Sequence, residues 1–491
     1  MGVTFKTIEI MKKIIFMMAA AVTFMAIGCT KENIEDKTQQ TEQKVITFSA
    51  GDESVKSVLD GKSVKWQKDD RVAIYDGSSR AHMFTYNSNF KFVYDKDAYN
   101  ADSDFNLAES KTYYAVYPYL NDSGKRTDVF TTTDEGAKVT TFLASRQMPK
   151  PNTFATAANI SACIPTVDIE KQQLSGLMRN LCGYIKFSIE TAENIAYVKF
   201  TSNSNRKMSG RCDVIFRNNG EVVVDGLENQ YVYCSSETGG AMAKGTYYVA
   251  VVPEEHAAGI NIMVTTVDGH VYEYNTGRNV NVIANQPLEF GAIDSKMGNG
   301  PTEKLSILLD FVARNTNITD KTSSYSGELT LKRGDYEVIV SRLYANDSGL
   351  ATWNPVQNGY LKTPAIAGKV LKNVVVTFRG HTSNSAAYLR LWTINADGKN
   401  DKKYSGVYSC VKNPNGNYNS RYTLPTMYSK YALRVSHVME PNKTTIGQDQ
   451  GTPDADAPAV AANTSYMLMN ESSGASWVES IELLYEPASA E

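Results

Sequence analysis

Along residues 183–189 apolar and polar side chains alternate. Ile185, Phe187 and Ile189 fall on one face, and Tyr184, Lys186 and Ser188 on the other. A period of two is the pattern of a half-buried strand in an antiparallel sheet. Short runs of this kind recur along the chain between Gly, Asn, Asp and Ser. They predict strands at 45–48, 63–66, 71–75, 90–94 and 112–118, the last closed by Pro118, which cannot donate to a sheet ladder. A second series covers 181–189, 197–200, 212–216, 221–224, 246–252, 260–265 and 271–274. A third covers 305–311, 335–340, 373–378, 388–394, 466–469 and 477–485. Short strands at regular spacing predict an all-β chain of packed sandwiches. The best helix candidate is 168–179. Residues 296–304 combine Gly, Pro and charge and read as a linker. Residues 440–463, with three prolines and three aspartates, read as a long mobile loop.

The amino-terminal pattern differs. Lys12 and Lys13 precede an apolar run over 14–27 that ends at Gly28 and Cys29. A positive start, an apolar stretch and small residues at its end make a secretory signal. The run is too short to span a bilayer, which takes about 20 residues. The first ten residues carry Glu9 and none of this logic, so translation is expected to start at Met11. The polar stretch 29–44 is expected to be a flexible tether spanning roughly 20 Å. A chain of 491 residues suits two to four domains. The pattern divides it into a signal peptide (1–28), the tether (29–44), a first sandwich (45–170), a second (171–295), the linker (296–304) and a third domain (305–491).

Charge and cysteine content narrow the function classes. The net charge is −3. Loss of residues 1–28 removes Lys6, Lys12 and Lys13 but only Glu9 among the acids, so the remainder is more acidic still. No basic stripe offers a surface to nucleic acid. With Cys29 set aside, Cys163, Cys182, Cys212, Cys234 and Cys410 remain, an odd number lying in or beside apolar strands. They read as small buried hydrophobes, with a Cys212–Cys234 cross-link as the alternative.

Catalytic and cofactor chemistry is not legible. His82, His256, His270, His381 and His437 show no metal-ligand spacing, and there is neither a G-x-S-x-G nor an H-E-x-x-H motif. The glycine-rich stretch 239–246 has Lys244 before Gly245 and a strand after it, whereas a phosphate loop requires the reverse order and a helix; it reads as a hairpin. No aspartate cluster has calcium-loop spacing. No cofactor, metal or catalytic residue is assigned. Trp353, Asn354, Tyr360, Arg390 and Trp392, near predicted strand ends of the third domain, are candidate glycan contacts. Sugar sites pair an aromatic plane with polar groups for the hydroxyls. The plainer reading is that these aromatics pack in or on a sheet.

Several segments resemble the fimbrillin-like proteins of the Bacteroidetes. In the first sandwich they are Ile46-Thr-Phe-Ser-Ala50, Lys56-Ser-Val-Leu-Asp-Gly61, Val64-Lys-Trp-Gln-Lys-Asp-Asp-Arg-Val-Ala-Ile74 and Tyr113-Tyr-Ala-Val-Tyr-Pro118. In the second they are Gln147-Met-Pro149, Asn180-Leu-Cys-Gly183, Gly245-Thr-Tyr-Tyr-Val249 and Gly259-Ile-Asn-Ile262. The resemblance covers about 44–294. It implies two transthyretin-like β-sandwiches in a lipoprotein precursor that becomes a pilus stalk, anchor or tip, or stays a surface adhesin. The end of the signal resembles a bacterial lipobox, which implies lipidation of Cys29 and anchoring in the outer membrane. Lys31 and Glu32 after it resemble a surface-exposure signal, so the chain is expected to face the cell exterior, or to enter a fimbrium. The segments 359–370 and 476–485 resemble a jelly-roll or galactose-binding-like module at the C-terminus. In related pilins, a protease cleaves after a basic residue behind the first strand, and a neighbouring subunit then adds a strand. Lys56 occupies that place here, as the candidate processing site. The whole domain 305–491 follows the second sandwich, which implies a tip-like or solitary subunit rather than a homopolymer. Two readings stand side by side: a non-enzymatic adhesin or fimbrial tip or accessory subunit that contacts a surface glycan or protein receptor, and a glycan-binding lipoprotein of a polysaccharide-uptake system.

Overall fold

A computed structural model describes residues 45–50, 58–60, 63–78, 81–87, 91–96, 105–119, 130–155, 158–191, 194–236, 240–311, 327–345, 351–353, 358–379, 388–408, 411–412, 418–419, 434–443, 452–472 and 478–488. Cys29, Lys56, Asn354 and Cys410 lie outside them. Residues 45–491 form one compact unit. Among the described residues the regular structure is strand, apart from one 3-10 helix at Asp294–Asn299. The all-β architecture of packed sheets is therefore as the alternation predicts.

The first sheet has nine strands. Its centre is Phe92–Tyr94, His82–Tyr86, Arg71–Tyr75 and Tyr114–Tyr117, with Thr47–Ser49 and Ser161–Cys163 flanking them. Thr47–Ser49 pairs parallel with Gln173–Ser175. The sheet buries both faces. Phe48, Val72, Ile74, Phe84 and Phe92 pack on one side with Trp66 and Leu107. Ala73, Tyr75, Met83 and Val116 pack on the other against a four-stranded sheet.

That four-stranded sheet joins the two halves of the chain. Phe130–Thr133 and Gly136–Leu143 supply two strands, and Gly210–Arg217 and Val222–Asp225 the others. Gly136 has φ +140°, and a Cβ there would stand 1.9 Å from Phe216 O, so only glycine permits this pairing. The five-stranded sheet (Arg146–Gln147, Tyr231–Ser235, Ile195–Ser202, Ile260–Thr266, Val271–Asn275) packs on the three-stranded one (Gly245–Val251, Gly183–Ile189, Pro287–Ala292). Ile185, Phe187 and Ile189 point into their common core with Val198, Phe200 and Val232. Tyr184, on the opposite face, packs into the neighbouring core.

The third sandwich closes the chain. One sheet is built on the long strands Val478–Pro487 and Lys369–Arg379, with Leu305–Asp310 and Arg434–Met439 at their sides. The other runs Glu328–Arg333, Tyr336–Ser341, Tyr360–Lys362, Tyr466–Asn470, Tyr388–Ile394, Asn400–Tyr408. Ile307, Leu361, Leu389, Leu391, Ile481 and Leu483 fill the space between them.

Five expectations need correction. The predicted helix 168–179 is a series of strands, Thr166–Asp168, Gln173–Ser175 and Arg179–Asn180. Asp168 Oδ1 accepts the Lys171 N–H at 3.0 Å and Gln172 takes φ +50°, so an Asx-type turn wins over the helix. The boundary placed between 170 and 171 consequently falls in a turn joining two strands of the first sheet. Residues 296–304 are laid along the second sandwich rather than strung free. Thr302 donates its N–H to Val271 O at 2.7 Å, and Lys304 reaches Glu273 at 2.9 Å and Glu486 at 3.6 Å. In the expected mobile loop, residues 452–463 are pinned: Ala457 and Val460 pack on the third core and the Tyr404 hydroxyl donates to Pro458 O at 2.9 Å. Finally, Cys212 and Cys234 are free thiols in two separate cores, so the alternative cross-link is not made.

Candidate functional site

Strand alternation decides where the candidate glycan residues stand. Along Tyr388–Ile394, Leu389 and Leu391 sink into the core, which turns Arg390 and Trp392 to the outer face of the sheet. Along Tyr360–Lys362, Leu361 sinks inward and Tyr360 and Lys362 face out. The strand Tyr466–Asn470 lies between them. Met469 pairs with both Tyr360 and Arg390, and Met467 with both Lys362 and Trp392. Three of the five candidates thus share one face, Tyr360 and Arg390 being two strand spacings, roughly 10 Å, apart. Trp353 belongs to the other sheet, where it pairs with Val478, so it does not join them.

Each of the three has a defined environment. Arg390 is 8% exposed and heavily engaged: Nε donates to Glu471 Oε2 at 3.0 Å, and Nη1 donates to Tyr404 O at 2.7 Å and Thr452 O at 3.3 Å. Its guanidinium lies 4.8 Å over the Tyr388 ring. That ring in turn lies against Gly406, where a Cβ would come within 2.7 Å of it. Arg390 is therefore first an anchor for the 452–463 segment. The half-buried Tyr360 donates its hydroxyl to Glu328, which also pairs with Lys362 at 3.0 Å. Burial and the Glu328 carboxylate push the Tyr360 phenol up to about 12. The half-buried Trp392 keeps its Nε1–H out of reach of any acceptor, an unusual state for a buried indole donor. Met467 and Met469 supply a buried apolar floor beside it. An aromatic surface edged by charged hydrogen-bonding groups can take a polar ligand with an apolar face.

The sheet on the other side of the same sandwich carries a site that the sequence did not disclose. Its outer face packs on the five-stranded sheet, through Val375, Leu308 and Val438 against Tyr197, Tyr231, Tyr233, Met263 and Val271. Glu482 lies inside this joint and accepts hydrogen bonds from the hydroxyls of Tyr197, Tyr233 (2.7 Å) and Ser306 (3.1 Å). Burial, reinforced by the Glu482 charge, holds both phenols well above their ordinary pKa. Arg146 forms a buried ion pair with Asp310 and donates from Nε to Ser235 Oγ at 3.0 Å. Burial works against its charge, but the carboxylates of Asp310, Glu479 and Glu482 more than offset that and raise its pKa. The available signal was an acid inside an apolar strand, Glu482 between Ile481 and Leu483, which demands a buried partner. The partner itself cannot be read from one strand.

Among the described residues no group of three or more His, Cys, Asp or Glu is placed to hold a metal ion. No family model and no curated relative matches the chain. Solved structures do. A candidate cell adhesion protein from Bacteroides uniformis aligns over 51% of this chain and 94% of its own, at 11% identity and a TM-score of 0.29. A second from Bacteroides ovatus aligns over 46% and 83%, at 12% identity and a TM-score of 0.32. A fimbrial protein from Bacteroides ovatus aligns over 70% and 68%, at 10% identity and a TM-score of 0.23.

Proposed function

We propose that the chain is a non-enzymatic cell-surface adhesin, or a tip or accessory subunit of a fimbrium, held in the outer membrane by a lipid on Cys29. The observation behind this reading is the arrangement of the third sandwich. One sheet is locked to the second sandwich through the Glu482 and Arg146 joint. The other carries the half-buried Tyr360 and Trp392 on its outer face, with Arg390 anchored beside them. A locked domain with an aromatic and polar face suits contact with a receptor. The unfilled Trp392 Nε1–H and the Tyr360 ring also support the second reading, a glycan-binding surface lipoprotein.

Two measurements test this. Cys29→Ala should move the protein from membrane to soluble fractions, since stable anchoring depends on the acyl chains; a variant that stays membrane-bound overturns the anchor. Bacteria displaying Trp392→Ala with Tyr360→Ala should adhere at least about tenfold less to a host-cell monolayer, the usual cost of removing aromatic anchors from an interface. Undiminished adherence by a folded, surface-displayed variant would count against the face. A glycan array separates the two readings, because selective binding to a polysaccharide favours the second.

A further inference from the structure

Beside the joint between the second and third sandwiches lies a cleft of about 430 Å³. Lys199 and residues 228–231 wall one side; Asn373 and the end of strand Arg434–Met439 wall the other. Lys199 is half-buried, with Nζ 4.9 Å above both the Tyr231 and Tyr233 rings. Ring faces attract an ammonium but accept none of its three N–H donors as a carboxylate would. Burial lowers the Lys199 pKa, with Glu482 and Glu273 acting against that and Lys304 with it, so an anion arriving in the cleft would stabilise its charge.

Opposite stands an acceptor in need. A bulge between Leu371 and Asn373 re-aims the chain. Asn373 Oδ1 is buried there and receives no hydrogen bond. A buried acceptor without a donor is costly, and a hydroxyl would fill it. Lys207 and the Gln230 amide also line the cleft. Of its two acids, Glu440 is closed in a 2.9 Å pair with Lys443, and Glu228 accepts the Arg211 N–H at 3.3 Å.

We propose that this cleft binds an acidic sugar, with its carboxylate on Lys199 and Lys207 and a ring hydroxyl donating to Asn373 Oδ1. The ligand needs an anion and hydroxyl donors on one small rigid frame, which is the chemistry of a uronic acid. The cleft volume lies in the range of small-molecule sites. This site is separate from the Tyr360 and Trp392 face and stands or falls without it.

Isothermal titration calorimetry on the full-length chain tests it with three probes: digalacturonate, neutral galactobiose and the dipeptide Glu-Glu. Digalacturonate should bind, and the other two at least about tenfold more weakly. Lys199→Met and Asn373→Leu should each weaken digalacturonate at least about tenfold, with a cooperative thermal melt retained. If Lys199→Met does not fold, Lys207→Met at the same cleft serves, with the same loss expected. The proposal is overturned by absence of digalacturonate binding, by equal binding of Glu-Glu, or by wild-type affinity in the folded lysine variants.

Discussion

Asp76 shows how a single environment sets a charge. Its side chain is 8% exposed, so burial alone would favour the neutral acid. Against this, His82 lies 3.6 Å away, Lys111 Nζ donates at 2.5 Å and Ser78 Oγ at 2.6 Å, and together they hold the carboxyl well below its ordinary value of 3.8. A depressed folded-state pKa contributes stability that is complete above that ordinary value and is lost as the pH falls below it. Asp76→Asn should therefore cost about 1–3 kcal/mol at neutral pH. The gap between variant and wild type should shrink toward about pH 3, read from thermal melts at both conditions. An equal gap at both pH values would show that the carboxylate charge is not what matters. The cysteines illustrate the opposite case. Burial pushes the Cys163 and Cys182 thiols up to about 12, so neither is a poised nucleophile.

At the scale of elements, many strands were legible because two-residue alternation survives wherever one face is buried, although His82–Tyr86, Gly136–Leu143, Tyr231–Ser235 and Asn400–Tyr408 were not anticipated. Gly183–Ile189, Tyr388–Ile394 and Val478–Pro487 all lie where apolar runs placed them. The segment 168–179 failed for a specific reason. Leu174, Leu177 and Met178 have helical spacing, yet only Leu174 and Met178 are buried, and Leu177 is 40% exposed. The Asp168 turn, a matter of one side-chain oxygen, decided the outcome. Strand partners were not legible at all, since nothing in Gly136–Leu143 announces that Gly210–Arg217 will lie beside it. The candidate face was legible in part. Alternation makes Arg390 and Trp392 neighbours on one side, but the juxtaposition of Tyr360 depends on a strand a hundred residues away in sequence. The joint residues were hidden because the strand Tyr231–Ser235 was not among those predicted, so nothing placed Tyr231 and Tyr233 on one face of a sheet.

For the molecule as a whole, the buried Arg146–Asp310 pair ties the third sandwich to the second. Arg146→Met takes a buried cation away from Asp310, Glu479 and Glu482 together, so it should destabilise the chain by about 3–5 kcal/mol. Replacing both groups, as Arg146→Met with Asp310→Leu, should recover part of that loss, because apolar groups suit the buried site while Glu479 and Glu482 still go without the cation. Chemical denaturation of wild type, single and double variants checks this. A double variant no better than the single would mean that the pair does not act as a unit. The interleaved pairing also has a consequence for biogenesis. A chain emerging N-terminus first delivers Thr47–Ser49 long before its partner Gln173–Ser175, and Gly136–Leu143 before Gly210–Arg217. Until the later strands emerge, the earlier ones present bare backbone edges to their surroundings. Such long-range pairing folds slowly and leaves partly emerged chains prone to association. The polypeptide thus has a vulnerable interval while it emerges, when a holding factor would have most to protect.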